Sequence, residues 1–150
     1  MAGDTQQYCT FFVADRFFGV DVKRVQEVIR YQEMTRVPLA SAVISGLINL
    51  RGQIVTALDL RARLGLPTRP SGQLPMNVVV RTDDGAVSLL VDEIGDVVEV
   101  AESSRERVPE TLSAGARELI AGVCKLKERL LLVLDTERAI AEPAGPQLGG

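Results

Sequence analysis

Most apolar positions in this chain recur at the two-residue period of β-strands rather than at the period of helices. Residues 8–14 and 17–21 are two such segments, and the polar pair between them predicts a β-hairpin. Residues 76–81 and 87–91 alternate in the same way around turn residues at 83–85, which predicts a second hairpin. The pattern therefore indicates a mainly β protein.

One internal stretch and both ends of the chain have compositions typical of irregular structure. Residues 67–75 hold three prolines and one glycine, which exclude a helix or a central strand, so we interpret them as the connection between two halves. We predict one domain over residues 7–140, with flexible tails at 1–6 and 142–150. Within it, subdomain 1 spans about 15–75 and subdomain 2 spans about 76–135, with the N-terminal strand and the C-terminal helix packing across.

The two halves contain an internal repeat. Residues 46–60 align without gaps on residues 122–136, and glycine, two leucines and aspartate are identical at corresponding positions. Each copy predicts a strand, a tight turn, a second strand and then an aspartate, Asp59 or Asp135, that N-caps a short helix.

A second, weaker similarity relates residues 20–29 to residues 91–98 and needs a two-residue gap. Together the two similarities predict a duplicated unit, and hence two similar small barrels that share one body. Each half is too small for a confident core of its own, so we expect the halves to pack on each other. The seam between them is the expected docking place for a partner.

The composition narrows the range of functions. The chain has no histidine, the commonest general base and metal ligand, so we expect no catalytic, metal or cofactor site. Its net charge of −3 argues against a nucleic-acid partner. Cys9 and Cys124 lie inside apolar runs and are predicted to be buried small hydrophobic residues. No apolar run approaches the ~20 residues of a membrane span and no signal-peptide pattern is present, so we expect a cytoplasmic protein.

Residues 44–60, Ile-Ser-Gly-Leu-Ile-Asn-Leu-Arg-Gly-Gln-Ile-Val-Thr-Ala-Leu-Asp-Leu, closely resemble the signature of the CheW family of chemotaxis coupling proteins. Residues 19–29, 35–38 and 90–98 also match that family in order and spacing, so the resemblance covers roughly residues 7–140. It implies two SH3-like five-stranded β-barrels that enclose a groove, with a few short helices, including one near the C-terminus. It also implies an adaptor that couples methyl-accepting chemoreceptors to a CheA-type histidine autokinase without catalysis.

The resemblance implies two partners, the kinase's CheW-like regulatory domain and the cytoplasmic tip of the receptors, without nucleic-acid binding or membrane insertion. The protein would then be cytoplasmic and recruited to membrane-associated or soluble receptor arrays. Three alternatives stay open: the CheW-like domain of a CheV-type or kinase-derived regulator, a generic SH3-like peptide binder, and a small enzyme that uses carboxylates. The candidate carboxylates, Asp21, Asp59 and Asp92, recur at cap or strand-end positions, which favours an architectural role.

Eight residues are predicted to bind the kinase, the receptor or both: Val25, Glu27, Val28, Gly46, Arg51, Gly52, Ile94 and Val97. Arg51 stands at the predicted turn, where its guanidinium is either simply solvated beside a turn glycine or offers forked donors to a partner. The four aliphatic residues recur in both halves and are predicted to line a groove for a helical partner, although strand aliphatics usually fill a core. The glycine at 46 either admits a close partner or marks a bend.

The lack of histidine and of an acid cluster predicts a protein that is not modified by phosphoryl donors. Incubation with ATP or with a small phosphodonor should leave the intact mass unchanged by mass spectrometry. Stoichiometric phosphorylation would overturn the adaptor interpretation.

Overall fold

The computed structural model describes residues 4–38, 40–83 and 85–141. Within these residues the chain forms two β-sheets, three short helices and two single 3₁₀ turns, so the predicted mainly β fold is confirmed. The strands are β1 (Thr5–Val13), β2 (Arg16–Asp21), β3 (Val25–Ile29), β4 (Ile44–Leu50), β5 (Gln53–Asp59), β6 (Met76–Thr82), β7 (Gly85–Val91), β8 (Glu93–Ala101), β9 (Arg105–Glu106), β10 (Ile120–Lys125) and β11 (Leu130–Leu134). The helices are α1 (Leu60–Arg63), α2 (Ala114–Leu119) and α3 (Thr136–Ile140).

The two sheets have the same plan. One has the strand order β8-β1-β2-β11-β10-β9 and the other has the order β3-β6-β7-β5-β4. In each sheet an antiparallel hairpin, β1–β2 or β6–β7, is joined through one parallel pairing to a second hairpin, β10–β11 or β4–β5. An outer strand, β8 or β3, then pairs with the first hairpin. This shared plan is the duplicated unit that the repeat predicts.

The outer strands are exchanged between the two sheets. β3 follows β2 along the chain but pairs with β6, and β8 follows β7 but pairs with β1. The sheets therefore do not follow the predicted division near residue 75, because β6 and β7 belong with β3–β5 while β2 belongs to the other sheet. The proline-rich residues 67–75 are irregular as predicted, but they connect two strands of one sheet.

Both ends of the chain differ partly from the predicted boundaries or lie outside the described residues. Thr5 and Gln6 pair with Ala101 and Val100 of β8, so the first strand includes two residues that we predicted to be part of a flexible tail. The extended conformation of these residues is fixed by a strand nearly a hundred positions away, which local composition does not report. Residues 1–3 and 142–150 lie outside the described residues, as do residues 39 and 84.

The strand registers align the two copies more closely than the sequence does. Both first hairpins have two-residue turns, with Val13 opposite Arg16 in one and Thr82 opposite Gly85 in the other. The pairings of β3 with β6 and of β8 with β1 also match. Val25 in β3 stands opposite the core residue Val80, Ile94 in β8 stands opposite the core residue Phe11, and a register shift follows each of them. Residues 8–29 and 77–98 therefore correspond without any gap.

Aspartates begin the helices as predicted. Asp59 Oδ1 accepts a hydrogen bond from the backbone N–H of Arg61 at 3.0 Å, and Asp135 Oδ1 accepts one from the N–H of Arg138 at 3.1 Å. Each bond satisfies a backbone donor that has no partner within its own helix. Asp21 does the same for the 3₁₀ turn before β3, so two of the three candidate catalytic carboxylates, Asp21 and Asp59, have capping roles.

The largest hydrophobic core lies between the two sheets. It combines side chains from the hairpins of both sheets with side chains from α1, α2 and α3: Phe11, Val13, Phe18, Val20, Leu58, Leu60, Leu64, Val78, Val80, Leu89, Val91, Ala116, Leu119, Ile120, Val123, Leu132, Leu134 and Ala139. Smaller clusters fill the opposite faces of the sheets. The seam is therefore mainly a packed core, and we expect the two sheets to unfold together.

A buried carboxylate holds the point where the chain passes from one sheet to the other. Asp92 lies between β7 and β8, and its side chain accepts hydrogen bonds from the Arg61 guanidinium at 2.6 and 3.1 Å. It also accepts from Arg69 Nε at 2.8 Å and from the backbone N–H of Ala14 at 2.6 Å. These donors come from α1, from the proline-rich segment and from the β1–β2 turn, so one side chain joins three parts of the chain.

The ionic cluster is balanced in charge. Arg69 Nη2 also reaches Asp59 Oδ1 at 3.3 Å, so two carboxylates face two guanidinium groups. Burial of the Asp92 carboxyl acts to raise its pKa, but the hydrogen bonds from Arg61, Ala14 and Arg69 outweigh burial and hold the pKa below its ordinary value. A carboxyl whose pKa is lowered by folding stabilises the fold above its unfolded-state pKa, and that stability is lost as the pH falls through the folded-state pKa.

We expect Asp92→Asn to lower the free energy of unfolding by about 3 kcal/mol or more at neutral pH, because it leaves two buried arginines without their anion. Urea unfolding followed by circular dichroism measures this change. The difference between wild type and variant should begin to narrow as the pH falls below about 4, where the Asp92 carboxyl of the unfolded chain takes up a proton, and should continue to narrow until the pH has passed the lower pKa of the folded state. Asp83→Asn, at an exposed turn position, is the control, and an equal effect of both substitutions would contradict the role of the cluster.

Candidate functional site

The turn between β4 and β5 exposes Arg51 at the end of a hairpin. Arg51 and Gly52 both have positive φ, at 52° and 89°, which is the backbone of a tight two-residue hairpin turn. Glycine adopts this conformation without strain, and Asn49 Oδ1 supports it by accepting a hydrogen bond from the Gly52 N–H at 2.8 Å. The predicted strand tip is confirmed, and Gly52 has a clear role in its geometry.

Arg51 forms an ion pair with Glu27, another residue of the predicted site. Its guanidinium donates to the Glu27 carboxylate and joins the β4–β5 turn to β3, at the opposite edge of the same sheet. The hydrogen bond from Arg51 lowers the pKa of Glu27, and the same bond raises the pKa of Arg51. The Arg51 side chain is still 71% exposed, whereas that of Glu27 is 20% exposed, so most guanidinium donors face solvent.

Gly46 admits a close neighbour, but that neighbour belongs to the same chain. A Cβ at Gly46 would lie 2.6 Å from the carbonyl oxygen of Thr35. Thr35 and Leu47 exchange two backbone hydrogen bonds, of 2.9 and 2.8 Å, which bring the segment after β3 against β4. Gly46 is buried beneath this bridge, so the lack of a side chain there allows close packing within the chain, while its contact with a partner stays a prediction.

The four predicted aliphatic residues divide by exposure. Val25 and Ile94 are partly buried and pack against the core between the sheets, so much of each side chain contacts the chain itself and is not available to a partner. Val28 is also partly buried, whereas Val97 is 54% exposed. The corresponding positions in β3 and β8 therefore match in register, as the repeat indicated, but only Val97 presents a large apolar surface to solvent.

The sequence reasoning missed an exposed aliphatic residue beside the arginine turn. Ile54 stands opposite Asn49 in the β4–β5 hairpin and is 61% exposed. Leu130 occupies the corresponding position of the second repeat and is also exposed. The gapless alignment carried the signal, because it places an aliphatic residue shortly after both tight turns, where a solvent-facing strand position would ordinarily be polar.

The described residues contain neither a metal-binding cluster nor a membrane-spanning helix. No group of three or more His, Cys, Asp or Glu side chains is arranged to hold a metal ion among residues 4–38, 40–83 and 85–141. None of the helices in that part of the chain is long and apolar enough to cross a membrane. Cys9 and Cys124 are buried and unpaired, as predicted.

A duplicated β fold with an exposed basic turn and exposed aliphatic side chains is typical of a binding module rather than of a cofactor-dependent site. A family model described as the CheW-like domain matches residues 7–144, so this chain belongs to the CheW-like family.

Comparisons with individual proteins agree with this family. The chain is 31% identical to the chemotaxis protein CheW of Bacillus subtilis over 135 residues, which cover 90% of this chain and 86% of that protein. It is 29% identical to the chemotaxis protein CheW of Klebsiella aerogenes over 143 residues, which cover 94% and 86%. The crystal structure of the scaffolding protein TtCheW from Thermoanaerobacter tengcongensis matches with a TM-score of 0.79 and 25% identity, over 88% of this chain and 90% of that one.

Proposed function

We propose that this chain is a coupling protein that binds a CheA-type histidine autokinase and the cytoplasmic tip of chemoreceptors, and that it carries out no chemistry itself. Family membership supports this function, as do the names of relatives as chemotaxis and scaffolding proteins. We place the protein in the cytoplasm, at receptor arrays. The single observation that carries the kinase-binding surface is the exposed Arg51 guanidinium, which Glu27 orients beside an exposed isoleucine.

The arginine surface consists of Arg51, Glu27 and Ile54. The ion pair restricts the arginine to one direction while most of its N–H groups remain available to a partner's acceptors. Ile54 adds apolar area next to these donors, an arrangement that resembles the apolar centre and polar rim of protein interfaces. Exposed large apolar residues among the described positions are all aliphatic, which disfavours the alternative of an aromatic-lined groove for proline-rich peptides.

The receptor surface is assigned to the outer face of β8 around Val97, together with Val28 in the corresponding strand of the other sheet. Val97 offers an apolar contact for the nonpolar side of a helix. Because the two sheets share one core, the two surfaces keep a fixed separation and orientation. Such a body raises the effective concentration of one partner near the other, which is sufficient for coupling without a reaction.

We expect Arg51→Ala to weaken binding to the kinase's CheW-like regulatory domain by about ten- to a hundredfold, the usual effect of losing a charge-assisted hydrogen bond. Arg51→Lys should restore binding only partly, because an ammonium group lacks the planar fork of donors. Isothermal titration calorimetry measures both constants, and the melting temperature should change little because the pair is exposed.

Arg107→Ala is the matched control, since Arg107 is exposed and lies in a loop. Its affinity for the kinase domain should equal that of wild type. If Arg51→Ala binds normally, or if it unfolds the protein, the arginine has a structural role and the proposed kinase surface is wrong.

We expect Val97→Asp to abolish binding to a receptor-tip fragment while kinase binding stays within about twofold, because the change places a charge in an apolar contact. Leu74→Asp is the matched control, since Leu74 is equally aliphatic, is exposed and lies in the proline-rich segment away from β8. Pull-down with each purified partner distinguishes the two surfaces. Equal loss of receptor binding in both variants, or normal binding by Val97→Asp, would refute the assignment.

A further inference from the structure

A polar cavity of about 230 Å³ opens on the six-stranded sheet, away from the arginine surface. It lies where the ends of β1, β2, β10 and β11 meet the N-terminal part of α3. Its lining combines Tyr8, Arg105 and Arg24 with the carboxylates of Asp21, Asp135 and Glu137.

Tyr8 lines this cavity, and its hydroxyl has no hydrogen-bond partner among the described residues. Tyr8 is only 3% exposed, and its hydroxyl makes no hydrogen bond with the described residues. Every fully buried side-chain nitrogen or oxygen in the described part of the chain does have a partner. The hydroxyl is therefore not sealed in the core but reached through the cavity that the ring lines. Burial raises the pKa of Tyr8, so the group remains a hydrogen-bond donor at neutral pH.

Arg105 is the second group with unused donors. Its guanidinium forms no ion pair or hydrogen bond with the described side chains, although it lies close enough to Tyr8 to lower that hydroxyl's pKa. Its position is defined by Gly122, because a Cβ at that residue would lie 2.7 Å from Arg105 Nε and 3.3 Å from Cγ. The arginine side chain therefore lies against the backbone of β10 at Gly122, and it forms part of the cavity lining.

The carboxylates in the lining already accept hydrogen bonds from the chain. Asp21 accepts from the backbone N–H of Lys23 at 2.9 Å, and Asp135 accepts from the N–H of Arg138 at 3.1 Å. Glu137 is paired with Arg24 at 2.7 Å. The Tyr8 hydroxyl and the Arg105 guanidinium have no partner among the described residues and can both donate, so this pair is complementary to a ligand that supplies acceptors.

In the other half of the duplicated fold, the buried ionic cluster of Arg61, Arg69 and Asp92 lies next to the corresponding helix. Glu137 corresponds to Arg61 in the gapless repeat, so an acidic residue stands where the other half has a basic one. Arg61 pairs with Asp92, and beside it the proline-rich segment inserts Arg69 onto the carboxylates. Glu137 pairs instead with Arg24, and the cavity beside this pair has Arg105 in its lining.

We propose that this cavity is a carboxylate-binding site in which Arg105 and the Tyr8 hydroxyl donate hydrogen bonds to the carboxylate of an acidic side chain or a small acid. An arginine fork and a hydroxyl match the two oxygens of a carboxylate. Three acids and two arginines line the cavity, so affinity arises from directed hydrogen bonds rather than from net charge. The site shares no residue with the arginine surface, so a negative result for one of them does not contradict the other.

The test is an NMR titration of the ¹⁵N-labelled full chain with N-acetyl-glutamate amide, using the uncharged N-acetyl-glutamine amide as the matched probe. We expect saturable shifts of the Arg105 Nε–Hε and Gly122 amide signals with a Kd on the order of millimolar, as befits one small group. The glutamine probe should bind about tenfold more weakly or not at all. Equal binding of both probes would overturn the proposal.

A second experiment repeats the titration with variants of the two donor residues, Arg105 and Tyr8. Arg105→Gln and Tyr8→Phe should each weaken binding of the glutamate probe by about tenfold, whereas Arg36→Gln, at an exposed arginine outside the cavity lining, should leave its binding unchanged. The phenylalanine keeps the buried ring, so this variant remains informative if the arginine change disturbs the fold. Unaltered binding by both donor variants would refute the site. Titration with glutarate distinguishes the two possible sources of the carboxylate. Tighter binding of glutarate indicates a free small acid, whereas tighter binding of the capped glutamate indicates an acidic side chain of a partner.

Discussion

The structure depends on a buried ionic cluster at the point where the chain changes sheets. Asp92 follows the last residue of β7, and the next strand, β8, crosses to pair with β1. Arg61 and Arg69 neutralise the buried carboxylate, and the N–H of Ala14 ties it to the other sheet. A buried charge without such partners would destabilise the fold. The cluster therefore constrains the crossover, the proline-rich segment and the first hairpin together.

Exchange of the outer strands has a direct consequence for function. Because β3 lies in a different sheet from β2, and β8 lies in a different sheet from β7, the six-stranded sheet combines strands from both ends of the chain, and the five-stranded sheet is formed by the strands between them. The core between the sheets is the largest in the protein and draws on both. A binding module of this construction holds its surfaces at one separation. That rigidity suits a protein whose proposed role is to fix the relative position of two partners.

The two copies of the fold have kept their architecture and changed their surfaces. Gly46 and Gly122 occupy corresponding positions, and both allow another part of the chain to lie directly on the strand, the Thr35 backbone in one copy and the Arg105 side chain in the other. Arg61, which pairs with the buried Asp92, corresponds in the repeat to Glu137, which forms an exposed pair with Arg24. Duplication thus conserved the packing contacts, while the charged positions diverged and acquired different capacities for binding.

The sequence by itself determined the strands, the tight turns and the aspartate caps, because two-residue periodicity, positive-φ residues and capping side chains act over a few positions. It also determined the repeat and the family signature around Arg51. Only the tertiary structure decided which strands share a sheet, since exchange of β3 and β8 depends on pairing between distant residues. It likewise decided that Gly46 is covered by Thr35, that Ile94 packs into the core while Val97 and Ile54 remain exposed, and that Tyr8 and Arg105 meet at one cavity. Burial depends on the whole fold. Alternation along a strand distinguishes its two faces, but it does not determine which face another part of the chain covers.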